Sequence, residues 1–397
     1  MAATRLETEV AIVGAGPAGL LLGQLLHRAG VETVILERRP MARVLARIRA
    51  GVLETGTVCL LEEAGVADRL HREGLVHRGI EIAVAGERRR IDFEALTGRH
   101  VVVYGQTEVT KDLVAARTAA GLPILDEARE VLPVDLESER PRVLFRRDGR
   151  DHELVCRIVA GCDGFHGVCR SRIPAEHLRT FERVYPFGWL GILAHARPVS
   201  EELIYAFSER GFALFSMRSP TVSRLYVQCD PNDPVEAWPD ERVYEELAAR
   251  VGPEVAARLE RAPSVEKSVT QMRSFVAEPM RWGRLALAGD AAHIVPPTGA
   301  KGLNLAAADV GLLAPALVAL LKENDPRPLD RYSETALARV WKAERFSWWM
   351  TSLLHKFPEG DPFRDRLQRA ELDYLFESKA QQTALAEQYV GLPLARV

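Results

Sequence analysis

The chain has 397 residues, of which 47% are hydrophobic and 27% charged, the composition of a globular protein with one large or two medium cores. Its 52 basic and 55 acidic side chains give a net charge of −3, so no nucleic-acid partner is expected. The first residues lack the apolar core of a signal peptide, and no window reaches the roughly 20 apolar residues that span a bilayer. The sequence predicts a cytoplasmic protein without a membrane partner.

The cysteines predict neither disulfides nor a metal site. There are five of them, an odd number, and they are scattered without a two-residue pair or histidines at ligand spacing: Cys59, Cys156, Cys162, Cys169 and Cys229. A disulfide framework or a zinc site would need closer, regular spacing.

The first recognisable unit is a strand, a turn and a helix. The apolar strand 9–13 is followed by three glycines at dinucleotide-binding spacing, Gly14, Gly16 and Gly19. The first allows a tight turn, the second lets the backbone approach a pyrophosphate, and the third permits close helix packing. A second strand, Thr33–Leu36, ends in Glu37, whose carboxylate can accept hydrogen bonds from an adenosine ribose. This order favours a dinucleotide site over a purely structural βαβ unit, with phosphates at the helix amino terminus.

The middle of the chain mixes helices and strands and then changes character. Periodicity predicts helices at 52–63 and 107–120 and strands at 79–84, 88–93 and 101–104. From about 187 to 229, short strands separated by turn residues predict an antiparallel sheet. The nucleotide-binding unit is therefore expected to be interrupted by a second domain.

Two later turns complete the pattern. Asp163–Gly164 follow the strand-like segment 154–160, and Gly289–Asp290 follow the apolar strand 285–288. A helix is predicted at 302–322, and the chain reads as helical beyond Arg331. Nucleotide-binding segments that lie this far apart in sequence indicate one long cofactor that contacts them all.

Alternation along a predicted strand suggests a site for an aromatic carboxylate. Four side chains share one face of that strand: Phe212, Leu214, Ser216 and Arg218. After the turn at 219–221, Arg224 and Tyr226 share one face of the next strand. A guanidinium binds a carboxylate bidentately, and Ser216 and Tyr226 can complete the hydrogen bonds. The alternative is that Arg218 is an ordinary solvated strand residue.

The three turns together resemble the fingerprints of the single-component, FAD-dependent aromatic hydroxylases. They are Gly14–Gly19 with Glu37, Cys162–Gly164, and Gly289–Asp290. Within that family the chain is similar, along nearly its whole length, to members that hydroxylate 4-hydroxybenzoate. The segments that carry this similarity are 47–54, 104–110, 185–191, 289–304, 341–352 and 389–393.

The resemblance implies a mixed α/β fold with three regions. A Rossmann-like FAD-binding domain of the glutathione-reductase type would comprise 1–76, 105–183 and 276–355. An antiparallel-sheet substrate domain, 77–104 and 184–275, would interrupt it. Residues 356–397 would form a helical interface region, and a homodimer is expected.

The resemblance also places one FAD. Its assigned residues are Gly14, Gly16, Gly19, Glu37, Arg47, Arg49, Gln106, Asp163, Gly289, Asp290, Gly302, Leu303 and Asn304. The adenosine would lie at Glu37, the ribityl chain near Asp290, and the flavin ring at the positive end of the helix that begins at Gly302. Without the resemblance, Asp290 is interpreted as a helix cap and Arg49 as an ion pair with Glu54.

The substrate would lie between a carboxylate site and a proton relay. The residues assigned to contact it are Ser216, Arg218, Tyr226, Pro297 and Tyr205. Tyr389 would stand behind Tyr205, and His77 at the solvent end. A phenol with a pKa of about 10 must be deprotonated near neutral pH to activate its ring, and a histidine suits the outward transfer of that proton. The alternative for either tyrosine is a half-buried core position.

Electrons would come from NADPH bound transiently on a surface groove, because the chain has no second glycine-rich βαβ unit. The family positions are Arg38, Arg47, Arg49, His166 and Arg273. This sequence has Arg39 and Arg43 at the two positions where the family's best-known NADPH-preferring pattern has Gln and Tyr. NADH therefore stays open as a donor. Alternatively, these arginines form a solvated basic turn.

The expected reaction is conversion of 4-hydroxybenzoate to 3,4-dihydroxybenzoate with O2 as cosubstrate. Three alternatives remain open at this point. They are a hydroxylase of an amino- or dihydroxybenzoate, a flavoprotein that oxidises or reduces a larger lipid-like substrate, and a non-catalytic flavin-binding regulator. The last two do not need Arg218 beside Ser216, nor the pair Tyr205 and Tyr389.

Overall fold

The computed structural model describes residues 4–46 and 51–394. The strands in this part of the chain, numbered in chain order, are β1 (Thr4–Glu7), β2 (Val10–Val13), β3 (Thr33–Leu36), β4 (Val52–Leu53), β5 (Leu75–His77), β6 (Gly79–Val84), β7 (Glu87–Asp92), β8 (Val101–Val103), β9 (Ile124–Leu125), β10 (Arg129–Val134), β11 (Arg142–Arg147), β12 (Arg150–Val155), β13 (Ile158–Gly161), β14 (Arg179–Ala194), β15 (Ile204–Ser208), β16 (Gly211–Ser219), β17 (Val222–Cys229), β18 (Ser264–Glu278), β19 (Arg281–Trp282), β20 (Leu285–Leu287) and β21 (His293–Ile294).

The α-helices in the same residues are α1 (Pro17–Arg28), α2 (Met41–Leu45), α3 (Thr55–Glu63), α4 (Asp68–Glu73), α5 (Phe93–Thr97), α6 (Gln106–Ala119), α7 (Asp240–Val251), α8 (Pro253–Ala256), α9 (Gly302–Lys322), α10 (Arg327–Leu354), α11 (Pro362–Glu377) and α12 (Lys379–Tyr389). Short 3-10 turns lie at Arg170–Arg172, Val235–Ala237, Gly289–Ala291 and Pro297–Gly299.

A six-stranded sheet forms the nucleotide-binding half, in the order β19-β20-β13-β2-β3-β9. All neighbours are parallel except β19 with β20. The strand β2 is buried at every position, as expected for a parallel strand covered on both faces. Helices α1, α6 and α9 pack in this half, and α1 contacts both of the others. The carboxyl ends of its central strands therefore lie at one edge.

An eight-stranded sheet forms the other half, in the order β21-β18-β14-β17-β16-β15-β6-β7. It is antiparallel apart from the parallel pair β15 and β6. Alternation divides its side chains between two apolar clusters. One cluster contains Tyr205, Phe212 and Leu214 together with residues of α10, α11 and α12, and the other packs against α7. The face with Tyr205 therefore points into the protein.

The mixed α/β class and the helix 302–322 are confirmed. The predicted helix 52–63 begins only at Thr55, because residues 52 and 53 pair with β8 as a short strand. The predicted strand 154–160 is two strands, β12 and β13, that belong to different sheets. The strand at 101–104 pairs with β4 and β5 in a separate small sheet, so it does not extend the large one.

The expectation that no segment would be long and apolar enough to span a bilayer is wrong by length and composition for one helix in the described residues, α9. However, 72% of its apolar window is buried inside the protein. It packs against α1, α3 and α10, which makes it a core helix.

Candidate active site

The three predicted turns meet at one edge of the six-stranded sheet. Residue Gly161 of β13 is paired with Val13 on one side and Leu287 on the other, so the turns that follow all three strands leave from the same row. A Cβ placed on Gly14 would lie 2.3 Å from the carbonyl oxygen of Cys162. One placed on Gly289 would lie 3.4 Å from the Cβ of Ala18 in α1. Segments distant in sequence are thus in direct contact.

The glycines of the first turn have the geometry that their predicted roles require. Gly14 has a φ of +107°, which only glycine adopts readily. A Cβ on Gly19 would lie 2.0 Å from the carbonyl oxygen of Gly14, so this residue must be small for α1 to pack. A Cβ on Gly16 would have no neighbour within 4 Å. Gly16 therefore borders open space at the amino terminus of α1, where a phosphate can be received.

Two carboxylates border this space. Glu37 accepts hydrogen bonds from the amides of Ala15 (2.9 Å) and Arg39 (2.8 Å), one on each oxygen, and each oxygen keeps a further lone pair. Asp163 accepts through Oδ2 from the amides of Val168 (2.6 Å) and Cys169 (2.9 Å). Its other oxygen, Oδ1, is buried without a partner among the described residues. Asp290 is exposed beside them.

The amino terminus of α9 supplies free amides. Its first helical hydrogen bond runs from the amide of Leu305 to the carbonyl of Lys301, so the preceding amides of Gly302–Asn304 have no intrahelical partner. The first turn carries no acidic side chain, and a Cβ on Gly302 would meet nothing within 4 Å. The positive end of the helix is therefore open to an electron-rich group.

The side chain of Asn304, a predicted cofactor residue, is engaged within the protein. Its Oδ1 accepts from the amide of Glu54 (2.9 Å) and the hydroxyl of Thr57 (2.7 Å). Its Nδ2 donates to the carbonyls of Val52 and Ala300, both at 2.8 Å. All four hydrogen-bonding positions of the amide are used, so only the backbone of Asn304 remains for a ligand.

These features fit an FAD. The glycine turn and the amino termini of α1 and α9 offer amides for phosphates and ring, while Glu37, Asp163 and Asp290 offer acceptors for hydroxyls. Gln106 begins α6 immediately after Gly105, and a Cβ on that glycine would lie 3.9 Å from the Cδ of Arg218. The cofactor side and the substrate side are therefore adjacent at this point. The predicted contacts Arg47 and Arg49 lie outside the described residues.

The substrate side is built on three neighbouring strands. Tyr205 of β15 pairs with Leu214 of β16, which pairs with Tyr226 of β17. In the next row, Ser216 pairs with Arg224. The side-chain pattern predicted from alternation is therefore present as far as Ser216. Between Met217 and Ser219 the register of β16 with β17 shifts, so Arg218 lies at an irregularity of the strand.

Arg218 has the properties of an anion site. Its Nη1 donates to the carbonyl of Met217 at 2.8 Å, and its Nε is buried without a partner. Burial lowers its pKa from the usual value. Among the described residues no carboxylate lies in ion-pair distance of it, whereas the neighbouring Arg224 is paired with Glu266 at 3.2 Å. In this state the Ser216 hydroxyl donates to the carbonyl of Arg224 at 2.7 Å.

At the other end, two tyrosine hydroxyls are in contact. The oxygens of Tyr205 and Tyr389 are 2.6 Å apart, and the side chains are almost fully buried. Burial raises the pKa of both phenols, so both stay protonated near neutral pH. Among the residues that the structure describes, no direct contact joins His77 to these two tyrosines. Its two ring nitrogens are buried without a partner in the described residues, and burial lowers its pKa to about 4.

The remaining predicted positions lie on two surfaces. Pro297 is exposed at the start of its 3-10 turn, where its carbonyl accepts from the amide of Ala300 at 2.9 Å. His166 and Arg273 come together because both contact the ring of Phe165, at 5.0 and 4.9 Å. Arg38 is exposed after β3.

A buried ionic cluster beside Tyr389 was not predicted from the sequence. Glu54 is 2.5 Å from Lys301 and 3.3 Å from Arg339, and Lys301 also donates to the carbonyls of Gln388 and Tyr389. The feature of the sequence that could have indicated this cluster is Lys301, which stands directly before Gly302 in an otherwise apolar segment.

Comparison with known proteins agrees with this geometry. Residues 7–347 match the family model described as FAD binding domain, so the fold and site define an FAD-binding protein. The chain is 55% identical over 389 residues to the p-hydroxybenzoate hydroxylase of Acinetobacter baylyi, covering 98% of this chain and 96% of that one. It belongs to the p-hydroxybenzoate hydroxylase family of FAD-dependent aromatic hydroxylases.

More distant relatives share the fold. A 3-(3-hydroxy-phenyl)propionate/3-hydroxycinnamic acid hydroxylase of Burkholderia vietnamiensis is 27% identical over 78% of this chain and 56% of its own length. The crystal structure of p-nitrophenol 4-monooxygenase PnpA from Pseudomonas putida superposes with a TM-score of 0.82 at 20% identity, covering 99% of this chain and 100% of that one.

Proposed function

We propose that this protein hydroxylates 4-hydroxybenzoate at the carbon ortho to its hydroxyl. The balanced reaction is 4-hydroxybenzoate, O2, NAD(P)H and a proton giving 3,4-dihydroxybenzoate, water and NAD(P)+. The observation that carries the proposal is Arg218, a partly buried guanidinium without a carboxylate partner in the described residues, on the same sheet as the buried Tyr205–Tyr389 pair. One end of the site suits a carboxylate and the other a phenol.

The carboxylate end orients the ring. A substrate carboxylate would occupy the free face of the Arg218 guanidinium, with Tyr226 completing the hydrogen bonds. Ser216 would join them by turning its hydroxyl away from the carbonyl of Arg224. Apolar side chains of the surrounding cluster would exclude water from the ring.

The phenol end moves a proton. Bound FAD, reduced by NAD(P)H, would supply the activation of O2 and the transfer of one oxygen atom. A phenolate directs far more electron density to its ortho carbon than a phenol does, so removal of the proton favours this step. Tyr205 would accept the substrate proton while passing its own to Tyr389, and Tyr389 would release its own proton outward toward His77, the expected end of the relay. Two protonated hydroxyls can relay a proton in this way without either becoming a stable anion. The carbonyl of Pro297 would hold the substrate hydroxyl on its other side.

The finer assignments belong to the same proposal. FAD would contact the glycine turns, Glu37, Asp163 and Asp290, and His166 and Arg273 would receive NAD(P)H beside Phe165. The three sequence regions would serve as a discontinuous FAD domain, a substrate domain and a helical interface. We also propose a cytoplasmic homodimer, because Trp341 and Trp348 of α10 are 41% and 42% exposed, as expected of side chains covered by a second copy.

The test is NADPH and NADH oxidation by the FAD-loaded protein with and without 4-hydroxybenzoate, with products identified by chromatography. We expect strong stimulation and near-stoichiometric 3,4-dihydroxybenzoate. Tyr205→Phe should retain FAD binding and substrate affinity but lower product formation by about 10²- to 10⁴-fold, the usual contribution of positioned proton transfer. The matched control is Tyr244→Phe, since Tyr244 is also buried and hydrogen-bonded but lies behind the sheet.

Other outcomes would contradict the proposal. If Tyr205→Phe leaves the product yield per NADPH unchanged, the Tyr205 hydroxyl does not transfer the substrate proton. Stimulation without a hydroxylated product makes the compound an effector only. If the protein turns over only an amino- or dihydroxybenzoate, it is a related hydroxylase with a different substrate.

A further inference from the structure

One carboxylate inside α9 joins three elements of the site. The Oδ2 atom of Asp309 accepts a hydrogen bond from the amide of Gly289 at 2.8 Å and lies 2.6 Å from the Nε2 atom of His293. The side chains of Asp309 and His293 are each only 2% exposed. Asp309 belongs to α9, Gly289 to the turn after β20, and His293 to β21, which leads to the Pro296–Gly299 loop.

Such a contact needs a reason, because a buried carboxylate is costly unless it is paired. The partner here is His293. Burial lowers the pKa of His293, but the coulombic interaction and the hydrogen bond with Asp309 outweigh burial and the pKa is raised overall, with smaller contributions from Asp290 and Glu344. The two side chains are therefore paired while enclosed. The contact can therefore keep the elements that it joins in fixed positions.

What it holds is the turn that carries Asp290. Gly289 has a φ of +65°, and its amide goes to Asp309. The next side chain, Asp290, is exposed, while Ala291 and Ala292 are buried. The backbone turn from which Asp290 projects is thus held by the hydrogen bond of the Gly289 amide to Asp309 within the core.

We infer that Asp309, held in place by its contact with His293, is a positioning residue for FAD that acts through the Gly289–Asp290 turn. This rests on the proposed function, in which Asp290 contacts the cofactor. Asp309 itself has no access to the ligand, because it is enclosed behind the turn. Its removal is expected to weaken FAD binding by releasing Asp290 from its orientation, rather than by removing a contact with the cofactor.

The experiment is a double-mutant cycle on FAD affinity. The dissociation constant of FAD from the apoprotein is measured by flavin fluorescence for the wild type, Asp309→Asn, Asp290→Asn and the double variant, with thermal unfolding of each apoprotein in parallel. We expect Asp309→Asn to raise the dissociation constant at least about tenfold, or about 1.4 kcal/mol. In the Asp290→Asn background the same change should add much less, because a residue acting through another is not additive with it. Asp330→Asn, which breaks an exposed ion pair with Arg281, is the matched control and should leave the constant unchanged.

Three results separate the possibilities. An unchanged dissociation constant in Asp309→Asn, or full additivity with Asp290→Asn, overturns the inference and leaves Asp309 a stabilising core residue. If Asp309→Asn does not fold, His293→Gln takes its place in the same cycle, and equal FAD affinity or additivity there overturns the inference as well. A wild-type apoprotein that binds no FAD refutes the proposed function itself, which is a distinct outcome.

Discussion

Arg218 has no carboxylate partner among the described residues, unlike the neighbouring Arg224. Arg224 is paired with Glu266, whereas the Nε of Arg218 is buried and unpartnered in the described part of the chain. A partly buried guanidinium held without an anion is unfavourable, and in the proposed function a carboxylate-bearing substrate would supply the missing partner.

The corresponding prediction is for Arg218→Gln. The change should raise the dissociation constant of 4-hydroxybenzoate by about 10- to 100-fold, since a hydrogen bond to a charged group contributes about 1.5–3 kcal/mol. Substrate titration of the FAD-loaded protein measures it. Arg197→Gln is the matched control, because Arg197 is highly exposed and pairs with Glu260. Equal substrate affinity in Arg218→Gln would exclude Arg218 as the carboxylate site.

At the scale of single residues, alternation accounts for only part of the substrate sheet. It placed Ser216 and Tyr226 on paired strands, because the period of a strand is two, but it did not show the register shift between Met217 and Ser219 that contains Arg218. It could not join Tyr205 to Tyr389, which come from β15 and α12, and only the family resemblance did so. The sequence also could not show that the Asn304 side chain uses all of its hydrogen-bonding positions, since its partners come from residues 52–57 and 300.

At the scale of elements, the cluster of Glu54, Lys301 and Arg339 fastens the end of α12 and the segment after it to the start of α9. Arg339 donates to the carbonyl of Leu392 at 2.8 Å, and Lys301 donates to the carbonyls of the last two residues of α12. Tyr389 is carried on this fastened segment. Its contact with Tyr205 therefore depends on charges that lie outside the relay.

Lys301→Met should accordingly destabilise the protein. Removing one partner of a buried ion pair leaves Glu54 with less compensation, and such changes cost about 3–5 kcal/mol. Urea denaturation of the apoprotein should show this loss. Limited proteolysis should show faster cleavage near residue 390. Lys322→Met, which removes a partly exposed pair with Glu9, should cost less than about 1 kcal/mol. Similar losses in the two variants would mean that the cluster does not stabilise this segment.

Elements were easier to predict than their ends. The parallel strands and α9 have long apolar runs that leave few alternatives, whereas β4 is two residues long and exists only because β8 lies beside it. Short strands of this kind are stabilised by a partner distant in sequence, so a local pattern does not contain them.

At the scale of the whole molecule, two buried neutral histidines make stability depend on pH. His355 accepts from the indole of Trp189 at 2.7 Å, and burial lowers its pKa to about 3, while His77 has a pKa of about 4. Both folded pKa values lie below the unfolded value of about 6.5. Below pH 6.5 the unfolded chain therefore binds protons that the folded protein does not, and stability falls as the pH falls toward 4.

Between pH 7 and pH 5 each of these histidines should cost about 2 kcal/mol of stability. His355→Asn should reduce the loss over this interval by about that amount, whatever its effect at pH 7. Urea denaturation at the two pH values measures the difference. His71→Asn, at an exposed histidine, should leave the pH dependence as it is in the wild type. An unaltered pH dependence in His355→Asn would show that His355 takes up protons as readily in the folded protein as in the unfolded chain.

The sheet edge that gathers the three turns has a consequence for biosynthesis. Its strands β2, β13 and β20 end at residues 13, 161 and 287, and α9 completes the edge only at residues 302–322. A ribosome must therefore release more than three quarters of the chain before a pocket for FAD can close, although the first glycine turn emerges almost at once. We expect stalled nascent chains that end before α9 to be unable to retain FAD. For most of synthesis, the apolar strand β2 depends on other means of protection from aggregation.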